Sequence, residues 1–298
     1  MWQYLLRNWA YGKAREHVQK AAMDAVRQRA NQQSSGEDDE ADEPRDVRCD
    51  VLIIAASASE LGSLADQLTG TVGIRGEGFR ATFGEIRGRR VVLAFAEQFK
   101  RPADEVTRTI IRAHQPRWVV AAGFASGLSD RLRRGQIFVA QRIVAADGRS
   151  VAIDVQMEES DGKPAIRVGG LLSTDQPYNR IAQKQALAAE FKADAVERTA
   201  IDVAHACQAE KTPLLAVHVI SDTVADDLPR DIRAILEQQS TAGKLGAATG
   251  ALLNRVSSVK DMWQLKEVSL LAAEALGKFL ADMLPQLPPA EHDEEPGL

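Results

Sequence analysis

The sequence predicts an α/β fold, a three-layer sandwich in which helices cover both faces of a central β-sheet. Three observations predict it. Continuous apolar runs at Val51-Leu52-Ile53-Ile54-Ala55-Ala56, Trp118-Val119-Val120-Ala121-Ala122 and Leu214–Ile220 have the composition of strands buried on both faces. Segments with helical spacing lie between them, so strands and helices alternate along the chain. Aromatic residues make up only 5% of the 298 residues while alanine is abundant, which favours helices packed tightly on a sheet over a β-sandwich.

The elements follow in order. Residues 1–30 read as a basic amphipathic helix, with Trp2, Leu5, Leu6 and Trp9 at i, i+3, i+4 and i+7 and six Lys or Arg against the two acids Glu16 and Asp24. Such a stripe suits an anionic membrane surface, or docking on its own domain or a partner subunit. Residues 31–47 read as an acidic flexible linker with too few apolar groups to offset its ordering entropy. The main domain spans 48–286. Its first strand leads into a helix over Ser57–Leu68. Phe79–Ile86 and Arg90–Ala96 form strands joined by a turn at Arg87-Gly88-Arg89. Pro102–His114 is a helix with proline in its first turn. Trp118–Ala122 is a strand that runs into a small-residue loop, Gly123-Phe124-Ala125-Ser126-Gly127-Leu128. Strands at Gln136–Ala145 and Ile166–Leu172, a helix at Ile181–Phe191, a short Ala193–Val196 segment and a helix over 199–210 come next. The strand Leu214–Ile220 stops at Ser221-Asp222, and helices at 229–238 and 259–284 close the domain. Residues 287–298 are an acidic tail, expected to be disordered.

Composition narrows the function. A net charge of −5 gives no footprint for a nucleic-acid binder. The two cysteines, Cys49 and Cys207, make neither a disulfide framework nor a metal set, so no metal and no organic cofactor is expected. Cys207 reads as a small buried hydrophobe. No apolar run reaches the roughly 18–20 residues that span a bilayer, and the N-terminus lacks the pattern of a secretory signal. A reducing, cytoplasmic setting is the expectation, peripheral to a membrane if residues 1–30 bind one.

In open α/β sheets, ligands bind beyond the carboxyl ends of the strands. Three such ends carry suggestive residues: Glu60, the segment Gly123–Gly127, and Ser221-Asp222. The glycine segment is neither a dinucleotide fingerprint nor a P-loop, because the third glycine and any Gly-Lys-Ser/Thr are missing. Asp222 by itself reads equally well as a turn former or a helix N-cap.

The order and spacing of these pieces together resembles the nucleoside phosphorylase and nucleosidase family, most nearly its methylthioadenosine/S-adenosylhomocysteine nucleosidase branch, from about Cys49 to Leu284. Ala195-Val196-Glu197, His205-x-Cys207, Pro213 and Ile220-Ser221-Asp222 stand at the family's spacing without gaps. Gly123-Phe124-Ala125-Ser126-Gly127-Leu128 is similar to the family's G-S-A-G-G-L, and Glu60 falls at the matching distance after the first strand. The resemblance implies a mixed sheet, a homodimer, and hydrolysis of the N-glycosidic bond of a purine (thio)nucleoside such as methylthioadenosine or S-adenosylhomocysteine. Asp222 would protonate the leaving base, with burial arranging its proton near neutral pH, and Glu60 would orient or deprotonate the attacking water. Ser221 would hold Asp222 or contact the base, and Gly123, Phe124, Ala125 and Ser126 would approach base and sugar closely. Glu197, Arg198 and Thr199 fall in the sugar-binding stretch.

Three departures qualify that picture. Thr199 stands where the family's ribose-clamping acid belongs, with Arg198 in place of the preceding Met; Asp202, one turn on, is the candidate substitute. Glu97-Gln98-Phe99-Lys100-Arg101-Pro102 replaces a glycine-rich turn, so Phe99 is expected to fill substrate space, or Lys100 and Arg101 to bind an anion or stay solvated. The stacking aromatic falls at Gln176 or Pro177, with Tyr178 beside them, and His218, where the family has Arg, reads as a satisfied core histidine. Two alternatives stay open: phosphorolysis, although Ala55-Ala56-Ser57-Ala58-Ser59 lacks the Gly and Arg that phosphorylases place there, and a degenerate domain that binds a nucleoside or a partner without turnover.

Overall fold

The computed structural model describes residues 48–155, 157–227 and 259–287, without the side chains of 259–268. The expected N-terminal helix, the linker, the helix at 229–238 and the tail beyond Leu287 lie outside the described residues. Ten strands form one mixed sheet. They are β1 (Val51–Ala55), β2 (Thr69–Gly76), β3 (Phe79–Ile86), β4 (Arg89–Phe95), β5 (Trp118–Gly127), β6 (Ile137–Ala145), β7 (Ser150–Ala152), β8 (Ile166–Ser173), β9 (Ala195–Glu197) and β10 (Leu214–Asp222). Among the described residues five helices accompany them: α1 (Gly62–Ala65), α2 (Ala103–His114), α3 (Ile181–Phe191), α4 (Ala200–Glu210) and α5 (Val259–Met283).

An open half runs β2-β3-β4-β1-β5, with β1 parallel to both β4 and β5. From β5 the sheet curls through β10, β6, β8 and β9 and returns to β5. The first half of β5 pairs with β1 and β10, while Ser126 and Gly127 pair with β9.

The side-chain period of two divides the core between the two faces. Along β1, Leu52 and Ile54 join one apolar cluster, which includes Val106 and Ile110 of α2 and Ala200, Val203 and Ala204 of α4. Val51, Ile53 and Ala55 join the other, with Leu61 and Leu64 beneath Ala272, Leu276 and Leu280 of α5. Each fully buried Val, Leu or Ile contributes about 1.5–3 kcal/mol. Two clusters of this kind account for runs that lack any polar alternation, and they make the three layers expected.

The structure departs from the expected elements in three places. Ser57–Leu68 is not one helix: a 3₁₀ turn at Ala58–Glu60 is followed by α1, because Leu61 leaves the helical region (φ −118°, ψ 16°). The break turns Leu61 and Leu64 into the core under α5. The segment Gly123–Gly127 is strand rather than loop, since β9 and β10 supply pairing partners. Strands β2 and β7 appear where none was expected. Almost all of β2 is exposed, so no apolar alternation marked it; pairing with β3 holds it at the sheet edge. Among the described residues no helix is long and apolar enough to cross a membrane.

The turn after β1 is fixed from outside by α5. The Ser63 hydroxyl donates to the Ala273 carbonyl at 2.8 Å, and Gly277 lies so close that a Cβ there would meet Ser63 Oγ at 2.1 Å and the Leu64 nitrogen at 3.0 Å. Gly277→Ala is therefore expected to destabilise the chain by about 1–3 kcal/mol, the usual cost of overpacking. Thermal melting of the two proteins checks this, and an unchanged midpoint would mean that α5 and α1 separate freely.

Candidate active site

Both carboxylates singled out in the sequence are anchored on β5. Glu60, at the end of the 3₁₀ turn, accepts the backbone N–H of Phe124 on Oε1 at 3.2 Å and that of Ser57 on Oε2 at 3.1 Å. A side chain at residue 123 would collide with it, because a Cβ on Gly123 would lie 3.0 Å from Glu60 Oε2. The glycine is thus required for the close approach of the carboxylate. Burial pushes the Glu60 carboxyl up from its ordinary value; the N–H groups of Phe124 and Ser57 oppose this, and the charge of Glu197 adds to it. A raised carboxyl is a stronger base than an exposed one, which is what proton abstraction from water asks for.

Asp222 ends β10, paired in register with Ser126 of β5. Its Oδ1 accepts hydrogen bonds from the hydroxyls of Ser126 and Ser221, both at 2.7 Å. Its Oδ2 forms an ion pair with Lys184 of α3. Lys184 has no exposed surface, and its ammonium also donates to the carbonyls of Thr223 at 2.7 Å and Asp226 at 3.0 Å. Three acceptors thus take the three N–H groups of an ammonium. An ammonium and two hydroxyls thus surround the Asp222 carboxylate. Sequence reasoning missed Lys184. The available signal was a lysine on the inward stripe of α3, one turn from Ile181 and Leu187, where the structure buries Lys184 and Leu187.

The stretch expected to bind sugar is committed to the start of α4. Glu197 is buried and turned onto the start of α4, where it accepts the Thr199 N–H at 2.7 Å, the Thr199 hydroxyl at 3.1 Å and the Ala200 N–H at 3.0 Å. Carboxylate at a helix N-terminus is a stabilising arrangement. Arg198 is exposed and lies over the Tyr178 ring, 5.9 Å from its centroid. Desolvation pushes the Tyr178 phenol up to about 12, against the pull of Arg198, and Glu197 and Asp222 push the same way as burial. Tyr178 therefore stands within electrostatic reach of both acids. Asp202 does not replace the missing acid, because Arg149 engages it at 2.7 Å.

Other expectations fall out as follows. Ala125 is buried in the core, and its carbonyl faces the Ser221 hydroxyl at 3.3 Å. Phe99 packs on the cluster behind β3 and β4. Arg101 is taken by Glu77 and Glu105 at the surface. His218 is buried but not satisfied: Nδ1 has no hydrogen-bond partner among the described residues, and Nε2 lies 4.0 Å from Glu197. Burial holds its imidazole below the usual histidine range, although Glu197 favours the charged form. Both cysteines are buried free thiols pushed up to about 12 by desolvation, as suits Cys207 in the core. Among the described residues no cluster of His, Cys, Asp or Glu could hold a metal ion.

With that geometry in hand, the comparisons with known proteins are decisive for the family. The model of the phosphorylase superfamily matches residues 50–159 and 153–257. The chain belongs to the phosphorylase superfamily. Within curated proteins, the aminodeoxyfutalosine nucleosidase of Helicobacter pylori (strain ATCC 700392 / 26695) is 25% identical over 179 residues, covering 53% of this chain and 78% of that protein. Among solved structures of the superfamily fold, the 5'-methylthioadenosine/S-adenosyl homocysteine nucleosidase of Campylobacter jejuni matches with a TM-score of 0.59 at 15% identity, over 80% of this chain and 100% of that one. The futalosine hydrolase of H. pylori strain 26695 matches at 0.56 and 18%, over 80% and 97%. These superpositions establish the superfamily fold expected from the sequence.

The raised Glu60 carboxyl carries a stability signature. Above its ordinary value of 4.5 the folded chain holds a proton that the unfolded chain has lost, so this group's contribution to stability is full below 4.5 and is lost as pH climbs through the raised value. Glu60→Gln removes that dependence. Its melting temperature relative to wild type is expected to rise as pH climbs from about 4 towards neutrality. A difference that stays flat with pH would show that burial does not perturb Glu60.

Proposed function

We propose that the chain is a nucleosidase that hydrolyses the N-glycosidic bond of a purine (thio)nucleoside such as methylthioadenosine or S-adenosylhomocysteine. One observation carries the reading: two carboxylates in opposite surroundings are anchored two residues apart on one strand, Glu60 at Phe124 and Asp222 at Ser126. Both carboxylates thus stand beside the same stretch of β5, one as base and one as acid in this reading. In this reading Asp222, held by Ser126 and Ser221, protonates the purine as the bond breaks, because an anionic purine leaves poorly. Glu60 takes the proton of the water that adds to the sugar carbon. Gly123 and Phe124 bring the strand close to base and sugar. Arg198 and Thr199, with Tyr178, contact the rest of the nucleoside, and Glu197 supports them from the end of β9. The names of the matched proteins, all nucleosidases or hydrolases of nucleosides, agree with this class.

Hydrolysis is preferred over phosphorolysis on local grounds. In the turn after β1, where phosphorylases are expected to place phosphate donors, the Ser57 N–H is taken by Glu60 and the Ala58 N–H by Glu97 at 2.9 Å. The chain's own carboxylates occupy the donors, and their charge repels an incoming anion. A binding domain without turnover is the second reading, favoured by the commitment of Glu197 to the helix and by the absence of a free carboxylate at Thr199.

Incubation with methylthioadenosine, S-adenosylhomocysteine, adenosine and inosine, each with and without phosphate, is expected to release free base at a rate indifferent to phosphate. Phosphate-dependent release would establish phosphorolysis, and binding without release would leave the second reading. Asp222→Asn is expected to keep the fold and cut base release by about 10²–10⁴-fold, the usual worth of a general acid; an active variant would remove Asp222 from the mechanism.

A further inference from the structure

Among the described residues Lys184 is the one Lys or Arg that is fully buried, and its ammonium rests on the proposed acid. Counting lone pairs sharpens what that contact does. An ionised carboxylate offers about four acceptor positions, two on each oxygen. On Asp222, Oδ1 receives both hydroxyls, from Ser126 and from Ser221, and is full. Oδ2 receives Lys184 alone. The open position on the carboxyl group is therefore on Oδ2, the oxygen that touches the ammonium.

The lysine is itself held from the other side. Its remaining two donors go to the carbonyls of Thr223 and Asp226, in the turn that follows β10. That turn is closed by the Thr223 N–H and hydroxyl on Asp226 Oδ2, at 2.7 and 2.8 Å, and Arg134 pairs with the Asp226 carboxylate. The ammonium is thus fixed at Oδ2 by three directions, with the charge of Asp226 already answered by Arg134. Among the described residues Tyr178, from the segment before α3, also feels the charge of Asp222, together with that of Glu197 from β9 and of Arg198 over its ring.

We propose that Lys184 is the positioning residue of the acid: it makes Oδ2 of Asp222 the oxygen that delivers the proton, and its charge stabilises the carboxylate left behind. The inference rests on the nucleosidase reading above. In the step, the O–H bond on Oδ2 breaks and an N–H bond forms on the purine, while the bond from sugar carbon to base breaks with its electron pair going to the base. Water adds to the sugar carbon and its proton goes to Glu60. Negative charge thus appears on Asp222 during bond cleavage, against an ammonium that needs no reorganisation to receive it. Proton return from Glu60 to Asp222 through solvent resets the pair.

The test uses the full chain and whichever of methylthioadenosine, S-adenosylhomocysteine, adenosine and inosine the wild type cleaves fastest. Lys184→Met removes charge and donors together. Lys184→Gln is the companion variant, because its amide can still donate to the Thr223 and Asp226 carbonyls and so preserves the turn. For a folded variant kcat is expected to fall by about a hundredfold or more, with KM within about threefold of wild type. In Lys184→Gln combined with Asp222→Asn, the two losses should not multiply. Two results would overturn the inference: a folded Lys184→Gln with kcat within threefold of wild type, or a loss confined to KM. A wild type that releases no base from any of the four nucleosides sinks the proposed reaction, and the inference falls with it. An active wild type beside an equally active Lys184→Gln sinks the inference alone.

Discussion

The pairing of β5 is the constraint on which the rest of the structure depends. It is the strand from which the open half of the sheet and the curled half both start, and it changes partners along its length. Trp118–Ala121 lie between β1 and β10, and Ser126-Gly127 meet β9. Three chain segments that are far apart in sequence therefore converge on six residues, Phe124 and its neighbours. Glu60 arrives from the turn after β1, Asp222 from the end of β10 and Glu197 from the end of β9. Gly123 suits this crowding, since a Cβ there would lie 3.0 Å from Glu60 Oε2, tighter than an ordinary contact.

The two acids then acquire different environments from the elements behind them. Glu60 sits over the apolar side of the sheet that α5 covers, and its partners are backbone N–H groups. Hydrogen bonds of that kind offset part of the desolvation cost without supplying a counter-charge, so the carboxyl stays raised. Asp222 receives side chains with mobile protons and a full ammonium. The two acids therefore stand in unlike surroundings beside one strand, one among backbone N–H groups and the other against two hydroxyls and an ammonium. Glu197, the third acid of the region, gives three of its acceptor positions to the start of α4, both on Oε2 and one on Oε1.

Much of this was legible in the sequence, for reasons that also explain what was not. The runs at Val51–Ala55 and Leu214–Ile220 announced themselves because burial on both faces forbids polar residues. Glu60, Ser221 and Asp222 could be singled out because strand ends are where such sheets hold ligands. Strand β2 was invisible, since an exposed edge strand carries no apolar signature. The Gly123–Gly127 segment read as a loop because small residues leave no side-chain pattern, while its strand geometry comes from β9 and β10, both distant in sequence. Lys184 was hidden by the helix around it. A lysine between polar neighbours at Gln183 and Gln185 looks solvated, and only the fold reveals that its position on α3 faces the end of β10.

Stability by itself is a poor reason for that lysine. Taking an ammonium wholly out of water costs several kcal/mol, and the attraction to a carboxylate repays this only with near-complete hydrogen bonding. Buried ion pairs replaced by apolar residues of similar volume are often neutral or stabilising, by about 1–4 kcal/mol, whereas removal of one partner costs about 3–5 kcal/mol. The surroundings of Lys184 meet the hydrogen-bonding condition, since all its donors are used. They do so by bending the turn at Thr223–Asp226 around the ammonium, which commits Asp226 and Arg134 as well. Thr223, Asp226 and Arg134 are thus organised around one charge at one oxygen of Asp222. A leucine in the same place would fill the volume next to Leu187 and ask for none of them. The arrangement makes physical sense where the charge of Asp222 changes during the chemistry, because a fixed ammonium lowers the energy of the carboxylate at the moment it forms.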